Sequence, residues 1–398
     1  MKVLIISSFL PFPLHSGGHV RLYNLIKEIS KTNEVTLICE KRSHQTNTDI
    51  DEVRKICKEV ITIDRKRQWS PKVIIQTAIS SLPFLLVGHR LPQMRQEIVK
   101  VLKDKKFDVI HVETFYVYQN LPKTYLPTVV VEHNIEYEVY EKFMKRSPAF
   151  VRPLLSVDIH KIKYWEEKVW RQATKVVAVS EKDKAKIKRK DVVVVPNGVN
   201  LEEFKMQTKK DKKEKVVLFM GDFKWIQNVD SAKYIVKEIW PKLENILNSQ
   251  KVKLDIKLWI VGKNIPENLK KYGSDNILFD ENAPDKTSDI YKKADVLLAP
   301  IQVGGGTSYK IIESMASGVP VVTTLLGVEG LGAKKDVDAL VADSAEQHAK
   351  NIVKLLEDKV LYEKLRKNAR AFIEKNFSWV KIAQILEKVY KEALEVNE

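Results

Sequence analysis

Two cysteines, Cys39 and Cys57, are all that a chain of 398 residues contains. Two thiols cannot supply a disulfide scaffold or a four-thiolate zinc site, and they read as reduced thiols of a cytoplasmic protein. Long apolar runs are lacking too. No stretch of about 20 apolar residues occurs, so no transmembrane helix is expected; the nearest, Val73 to Val87, is broken by Gln76, two serines and Pro83. With 14 Gly and 15 Pro, collagen-like and low-complexity chains are excluded. Acidic residues are the minority, 52 against 68 Lys and Arg, which leaves a formal charge of +16. Such an excess suits nucleic acid, an anionic membrane face, an anionic substrate, or simply a lysine-rich surface. No helix-turn-helix, zinc or aromatic-basic strand signature accompanies it, so nucleic acid is not an expected partner.

What is present is ordinary globular composition, 44% hydrophobic and 30% charged, in a length that suggests two domains. The start, Met1 to Ser7, resembles a signal peptide, but its apolar run is short and meets Pro11, Pro13 and Gly17-Gly18 at once. A run ended by such a turn reads better as a buried parallel strand. Continuous β-rich runs recur at Val3–Ser7, Val35–Cys39, Val60–Ile63, Val109–Val112, Thr128–Val131, Lys175–Val179 and Val192–Val195. They resume at Val216–Met220, Lys257–Val261, Ile277–Phe279, Val296–Ala299, Val319–Thr323 and Ala339–Val341. Continuous rather than alternating runs, with amphipathic segments between them, are the pattern of parallel strands covered on both faces. The charge-dense stretch from Asn200 to Lys215 reads as a linker. The fold class is therefore α/β, with two Rossmann-like doubly wound domains, each binding ligands at the carboxyl ends of its strands.

The stretch from Ala294 to Thr324 carries the chemistry. A buried strand runs into Gly304, Gly305 and Gly306, and a helix then begins near Thr307, a candidate N-cap. Glycines allow close backbone approach, and the helix start offers free N–H groups and the positive end of its dipole, an anion site suited to a diphosphate. Lys310 and Glu313 lie three apart on one helix face. Lys310 could reach a phosphate oxygen and Glu313 could accept a ribose diol; the alternative is a flexible glycine turn beside a surface Lys–Glu pair.

This stretch, with Pro196-Asn197-Gly198-Val199-Asn200, resembles the retaining nucleotide-sugar glycosyltransferases of family 4, which have the GT-B fold. Further motifs in the family's order extend the resemblance over most of the chain. They are Leu10-Pro11-Phe12-Pro13 with Ser16-Gly17-Gly18, Val131-Glu132-His133-Asn134, Ala178-Val179-Ser180-Glu181, Gly221 to Asn228, and Phe377-Ser378-Trp379. The resemblance implies two domains facing across a cleft: 1–199 on the acceptor side, 216–376 binding the nucleotide sugar after the linker 200–215, and a terminal helix, 377–398, crossing back to the first domain. It implies that Glu313 binds ribose and that Lys310, with the amides of Gly305, Gly306 and Thr307, holds the diphosphate, Gly304 and Ser308 also belonging to the donor site. Gly17 and Gly18 would approach the donor phosphates, His133 the reacting sugar, and Asn282, in the loop Asp280 to Pro284, the base. Two positions depart from the pattern. Gly305 stands where a second glutamate is common, and Ser308 where an arginine is common, which leaves Lys224, or a basic residue of the first domain such as Arg21, as the supplementary cation.

The implied activity is transfer of a hexosyl unit from a nucleoside diphosphate sugar, such as a UDP or GDP sugar, to an acceptor hydroxyl with retention, in cell-surface polysaccharide or glycolipid synthesis. A nucleotide-sugar 2-epimerase of the same fold is the alternative. No carboxylate nucleophile stands out; the route that the resemblance implies, front-face attack with the leaving phosphate taking the acceptor proton, needs none and relies on charge stabilisation and alignment. No cofactor and no metal are expected: Asp49-Ile50-Asp51 and Asp336-Val337-Asp338 match D-x-D, a pattern common by chance. The expected partners are the nucleotide-sugar donor, a saccharide, glycolipid or other hydroxyl acceptor, and, through the basic-aromatic segments Arg65 to Trp69 and Lys142 to Trp170, an anionic face of the inner membrane.

Overall fold

The structure, a computed structural model, describes residues 1–65, 68–206, 213–249, 254–284, 286–302 and 307–396. The chain forms two compact units, Met1–Pro196 with Ile382–Glu398, and Asn197–Lys381.

In the first unit the apolar runs become β1 (Lys2–Ser7), β2 (Glu34–Lys41), β3 (Glu59–Asp64), β4 (Val109–Glu113), β5 (Thr128–Glu132), β6 (Lys175–Ala178) and β7 (Val193–Val194). They pair in the order β3-β2-β1-β4-β5-β6-β7, all parallel. β1, β4 and β5 are buried almost throughout, which explains their lack of polar alternation. The order reverses between β1 and β4, and a crevice opens at such a switch point beyond the strand ends. The last helix, Trp379–Glu395, sends its second part into this unit. Ile382, Leu386, Val389, Tyr390 and Ala393 are buried there, and the larger aliphatic ones each contribute roughly 1.5–3 kcal/mol. Glu387 accepts from Asn33 Nδ2 at 2.6 Å, and Lys175 pairs with Glu392 at 3.3 Å.

The second unit holds β8 (Glu214–Met220), β9 (Asp255–Val261), β10 (Ile277–Asp280), β11 (Val296–Ala299), β12 (Val321–Thr323) and β13 (Leu340–Val341). Their order, β10-β9-β8-β11-β12-β13, places the switch point between β8 and β11. Helices Ile226–Tyr234 and Tyr309–Ala316 start just beyond those two strands.

The stretch read as a linker is in part core. Phe204 is buried in the second unit, and Arg370 Nη1 donates to its carbonyl at 2.7 Å. The junction falls at Pro196, where Val199 N donates to Phe377 O at 2.7 Å. A side chain at Gly198 would lie 2.7 Å from the Trp379 ring, so the Pro-Asn-Gly turn is a packing requirement. Both D-x-D matches are structural. Asp49 closes a capping box with Thr46, and Asp338 accepts from Lys334 N at 2.8 Å. Among the described residues no helix is long and apolar enough to cross a membrane.

Candidate active site

In the second unit, the loop and helix after β8 and the helix after β11 build one polar site. Lys310 Nζ donates to Asn228 Oδ1 at 2.9 Å and stands 4.8 Å over the Phe219 ring. Asn228 in turn donates to the Asp222 carbonyl at 2.9 Å, so the loop and the lysine are fixed together. Burial lowers the Lys310 ammonium to about 8. Glu313, one turn on, meets the buried Tyr291 hydroxyl at 3.2 Å, and that hydroxyl also lies 3.0 Å from the Lys310 carbonyl. Burial raises the Glu313 carboxyl to about 8, the Tyr291 hydrogen bond opposing it. A cation and a carboxyl thus sit partly withdrawn from solvent on one helix face, each held by one neutral partner and not by each other.

The rest of the expected donor site is mixed. Helix Tyr309–Ala316 is capped at Ser308 rather than Thr307, without a side-chain cap bond. Thr307 Oγ1 is buried with no hydrogen-bond partner among the described residues. Gly304, Gly305 and Gly306 lie outside the described residues. Lys224 is exposed and paired with Asp222 at 2.7 Å, so its charge is already partly met. Asn282 is exposed, and its backbone N–H donates to Asp280 Oδ1 at 2.9 Å, while Trp259 Nε1 donates to the other Asp280 oxygen at 3.1 Å. Behind these loops Gly262 adopts φ +154°, and a Cβ there would fall 1.8 Å from the Gly221 carbonyl oxygen. Only backbone fits between the loops after β8 and β9.

In the first unit, His133 follows β5 and keeps 16% of its side chain exposed. Its Nε2 bonds Glu113 Oε1; the other Glu113 oxygen takes His111 Nε2 at 2.5 Å, and His111 Nδ1 meets the Tyr390 hydroxyl at 2.6 Å. Burial alone would raise the Glu113 carboxyl, but the charge of His133 and hydrogen bonds from both histidines outweigh it and hold the group well below the usual carboxylate range. An ionised carboxylate only accepts, so both Nε2 atoms carry protons, and Nδ1 is the His133 ring nitrogen left to meet a ligand. That atom faces Gly18, where an added Cβ would lie 3.4 Å away. Gly17 and Gly18 open helix Gly17–Ile29.

The expected residues therefore fall in two groups: Lys310, Glu313, Thr307 and Ser308 in one unit, His133 with Gly17 and Gly18 in the other. Sequence reasoning missed Asn228, Tyr291, Glu113, His111 and Tyr390 as parts of them. One signal was readable. His111 and Glu113 alternate on one face of an otherwise apolar strand, where two polar residues need partners. Among the described residues no group of three or more His, Cys, Asp or Glu is arranged to hold a metal ion.

Comparison with known proteins matches both units. Residues 15–203 fit the family model described as Glycosyltransferase Family 4, and residues 214–358 fit Glycosyl transferases group 1. A 44.6 kDa protein in the cps region of Klebsiella pneumoniae is 24% identical over 398 residues, 96% of this chain and 97% of that one. Among solved structures, sucrose-phosphate synthase from Thermosynechococcus elongatus superposes with a TM-score of 0.69 at 17% identity, covering 100% of both chains. Anabaena HepE in complex with UDP and glucose gives 0.65 at 13% identity, over 98% of this chain and 99% of that one.

Proposed function

The chain belongs to the glycosyltransferases of the GT-B fold, and we propose that it moves a hexosyl unit from a nucleoside diphosphate sugar to an acceptor hydroxyl with retention. The observation that carries the reading is the Lys310–Glu313 pair at the head of helix Tyr309–Ala316, one group suited to a diphosphate and the other to a ribose diol. Negative charge grows on the diphosphate as it departs. Lys310 and the helix N-terminus meet that charge with fixed positive groups, which lowers the barrier more than it stabilises the bound donor. Thr307 Oγ1, buried and unpartnered among the described residues, supplies a further hydroxyl for the phosphates. His133 serves the sugar or the acceptor hydroxyl through Nδ1, with Glu113 and His111 fixing its ring. Front-face attack, in which the leaving phosphate takes the acceptor proton, needs no carboxylate nucleophile and suits this residue set.

A UDP donor is supported by HepE, whose complex contains UDP and glucose. An acceptor in cell-surface polysaccharide or glycolipid synthesis is supported by the Klebsiella relative in a cps region. Separate alanine substitutions at Lys310, Glu313 and His133 test the assignment: wild-type rate and donor affinity in the Lys310 and Glu313 variants would overturn it. Incubating donor alone and finding an isomerised sugar would instead favour the 2-epimerase reading. Activity unchanged by a chelator is the outcome expected of a metal-independent transfer.

Contact with an anionic membrane is proposed for the first unit. Ile75 and Ile79 on helix Pro71–Ile79, and Leu154 and Val157 on helix Arg152–Gln172, are exposed. Lys161 joins the two helices by donating to the Thr77 and Ser80 carbonyls at 3.1 and 2.7 Å. Lys142, Lys145 and Arg146 on helix Glu136–Arg146 add positive charge. Co-sedimentation with phosphatidylglycerol vesicles but not phosphatidylcholine vesicles is expected; equal, negligible binding to both rejects the contact.

A further inference from the structure

A second cluster at the carboxyl end of the first sheet has no part in the transfer described above. β2 and β3 run parallel with Lys41 opposite Asp64, and Arg65 N donates to the Lys41 carbonyl at 2.8 Å. The next residues, Arg42 and Arg65, are therefore neighbours across the sheet. Both line a cavity of about 330 Å³ that His133, Gly18 and Tyr116 also line. Like charges set side by side on adjacent strands repel. Arg42 registers this: burial first, then the Arg65 charge, lower its pKa.

Arg65 is built into the fold. Its Nη2 donates to Gln68 Oε1 at 2.9 Å and lies 3.3 Å from His89 Nε2, and its Nε is 3.7 Å from Glu40. His89 Nδ1 bonds the same carboxylate at 2.7 Å, and both residues are buried. One buried carboxylate beneath two guanidiniums and an imidazole offsets one positive charge at most. The Arg42 guanidinium has no hydrogen bond or ion pair with a described residue. Glu40 lies behind the wall of the cavity, and the acid that lines it, Glu136, is pushed up to about 7 by burial, so it carries only part of a charge at neutral pH. The cavity therefore holds positive charge without a full counter-charge, in a volume that suits one sugar residue or a headgroup. The nucleotide diphosphate has its own cation, Lys310, in the other unit.

We propose that Arg42 and Arg65 form a subsite for an oxyanion, phosphate or carboxylate, carried by the acceptor. Its assignment to the acceptor rests on the glycosyltransferase reading; the anion site itself does not. A planar guanidinium pair grips such a group through charge-assisted hydrogen bonds, and Arg65 is already held in place for it. The enzyme would then select acceptors that bear a negative group near the hydroxyl to be glycosylated.

The test titrates four probes into the full-length chain, with and without UDP: octyl phosphate, glucose 1-phosphate, glucuronate and neutral glucose. At least one anion is expected to bind about tenfold or more tighter than glucose, the size of one charge-assisted hydrogen bond. Arg42→Gln and Arg65→Gln should each abolish that preference and leave UDP affinity unchanged, while Arg65→Lys keeps part of it. A preference for octyl phosphate identifies a lipid headgroup as the source, for glucose 1-phosphate a phosphorylated saccharide, and for glucuronate an acidic sugar. The proposal is overturned if no anion binds better than glucose, if both glutamine variants keep the preference, or if they weaken UDP instead. If UDP fails to bind the wild type while anion binding still depends on Arg42 and Arg65, the glycosyltransferase reading fails and the oxyanion site stands.

Discussion

The two ionisable groups of the proposed nucleotide site titrate in the same range and should pull donor affinity in opposite directions. Burial lowers Lys310 from 10.5 to about 8. A diphosphate beside the ammonium restores its proton, so binding draws on Lys310 in full below pH 8. The contribution is lost by up to tenfold per pH unit above that, because the free enzyme has then released the proton. The whole gap, 10.5 less about 8, corresponds to about 3.4 kcal/mol at 1.36 kcal/mol per unit. Lys310 keeps part of its surface in solvent, so roughly half of that is realised, about ten- to thirtyfold in affinity. Glu313 runs the other way. Burial raises its carboxyl to about 8, and the ionised form is the better acceptor for two ribose hydroxyls, so its contribution grows as pH rises through 8. In the wild type the two slopes oppose, and affinity for a nucleotide sugar changes little between pH 7 and 9. Glu313→Gln exposes the lysine slope: affinity is flat below pH 8 and falls about tenfold by about pH 9.5. Lys310→Met weakens binding at pH 7 by about ten- to thirtyfold and improves toward pH 9. Calorimetry with a nucleotide sugar is the assay, since the terminal phosphate of a free nucleoside diphosphate titrates near neutrality. A pH-independent affinity in Glu313→Gln, or wild-type affinity at pH 7 in Lys310→Met, would refute the reasoning.

Further outcomes follow from the same geometry. Glu113→Gln removes the anion between two imidazoles and should lower transfer by about 100-fold without changing nucleotide affinity, read as kcat against donor KM. Tyr390→Phe strips His111 Nδ1 of its partner in a buried site and should cost about 1–3 kcal/mol in urea unfolding. Gly262→Ala sets a methyl 1.8 Å from the Gly221 oxygen at φ +154° and should destabilise by about 3 kcal/mol or more in the same measurement. Glu132 is fully buried, and that burial, with Glu166 nearby, holds its carboxyl well above the usual range. The folded state keeps this proton while the unfolded state releases it near pH 4.5, so stability falls as pH rises above that value. Glu132→Gln retains an acceptor for Trp170 Nε1 and should be more stable than wild type at pH 8, the difference vanishing near pH 4 in thermal melts.

The strands were legible because each is a continuous apolar run, and burial on both faces of a parallel sheet requires that pattern. The Lys310–Glu313 cluster proposed for the nucleotide was legible because its parts are local: strand, helix, lysine and glutamate follow one another within some twenty residues. The Tyr390–His111–Glu113–His133 chain was not, because its members come from β4, the end of β5 and the last helix, with Tyr390 and His111 279 residues apart. No periodicity reports a contact of that span. Reading β4 as ending at Val112 also hid Glu113, the carboxylate on which the chain depends. Lys224 was assigned by position in a motif, and position does not reveal that Asp222, two residues earlier, already pairs with it. Phe204 was hidden in a charged stretch, where a single aromatic carries little weight beside so many lysines.

The last helix bears on how the protein is made. The second unit is a contiguous stretch, Asn197–Lys381, whereas the first takes in both ends of the chain. Synthesis runs from the N-terminus, and domains usually fold in that order as they emerge. Here the order of completion is inverted. The first unit waits for Ile382–Glu398, which are translated after all of the second unit, before Tyr390 can seal its core and reach His111. The second unit has every residue it needs before then. A chain cut short by a frameshift or nonsense codon near residue 380 would therefore carry nearly all of the second unit, Lys310 and Glu313 included, and a first unit whose His111 lacks Tyr390. Translation past Tyr390 thus becomes a condition for completing the first unit, and products truncated before it lack the partner of His111.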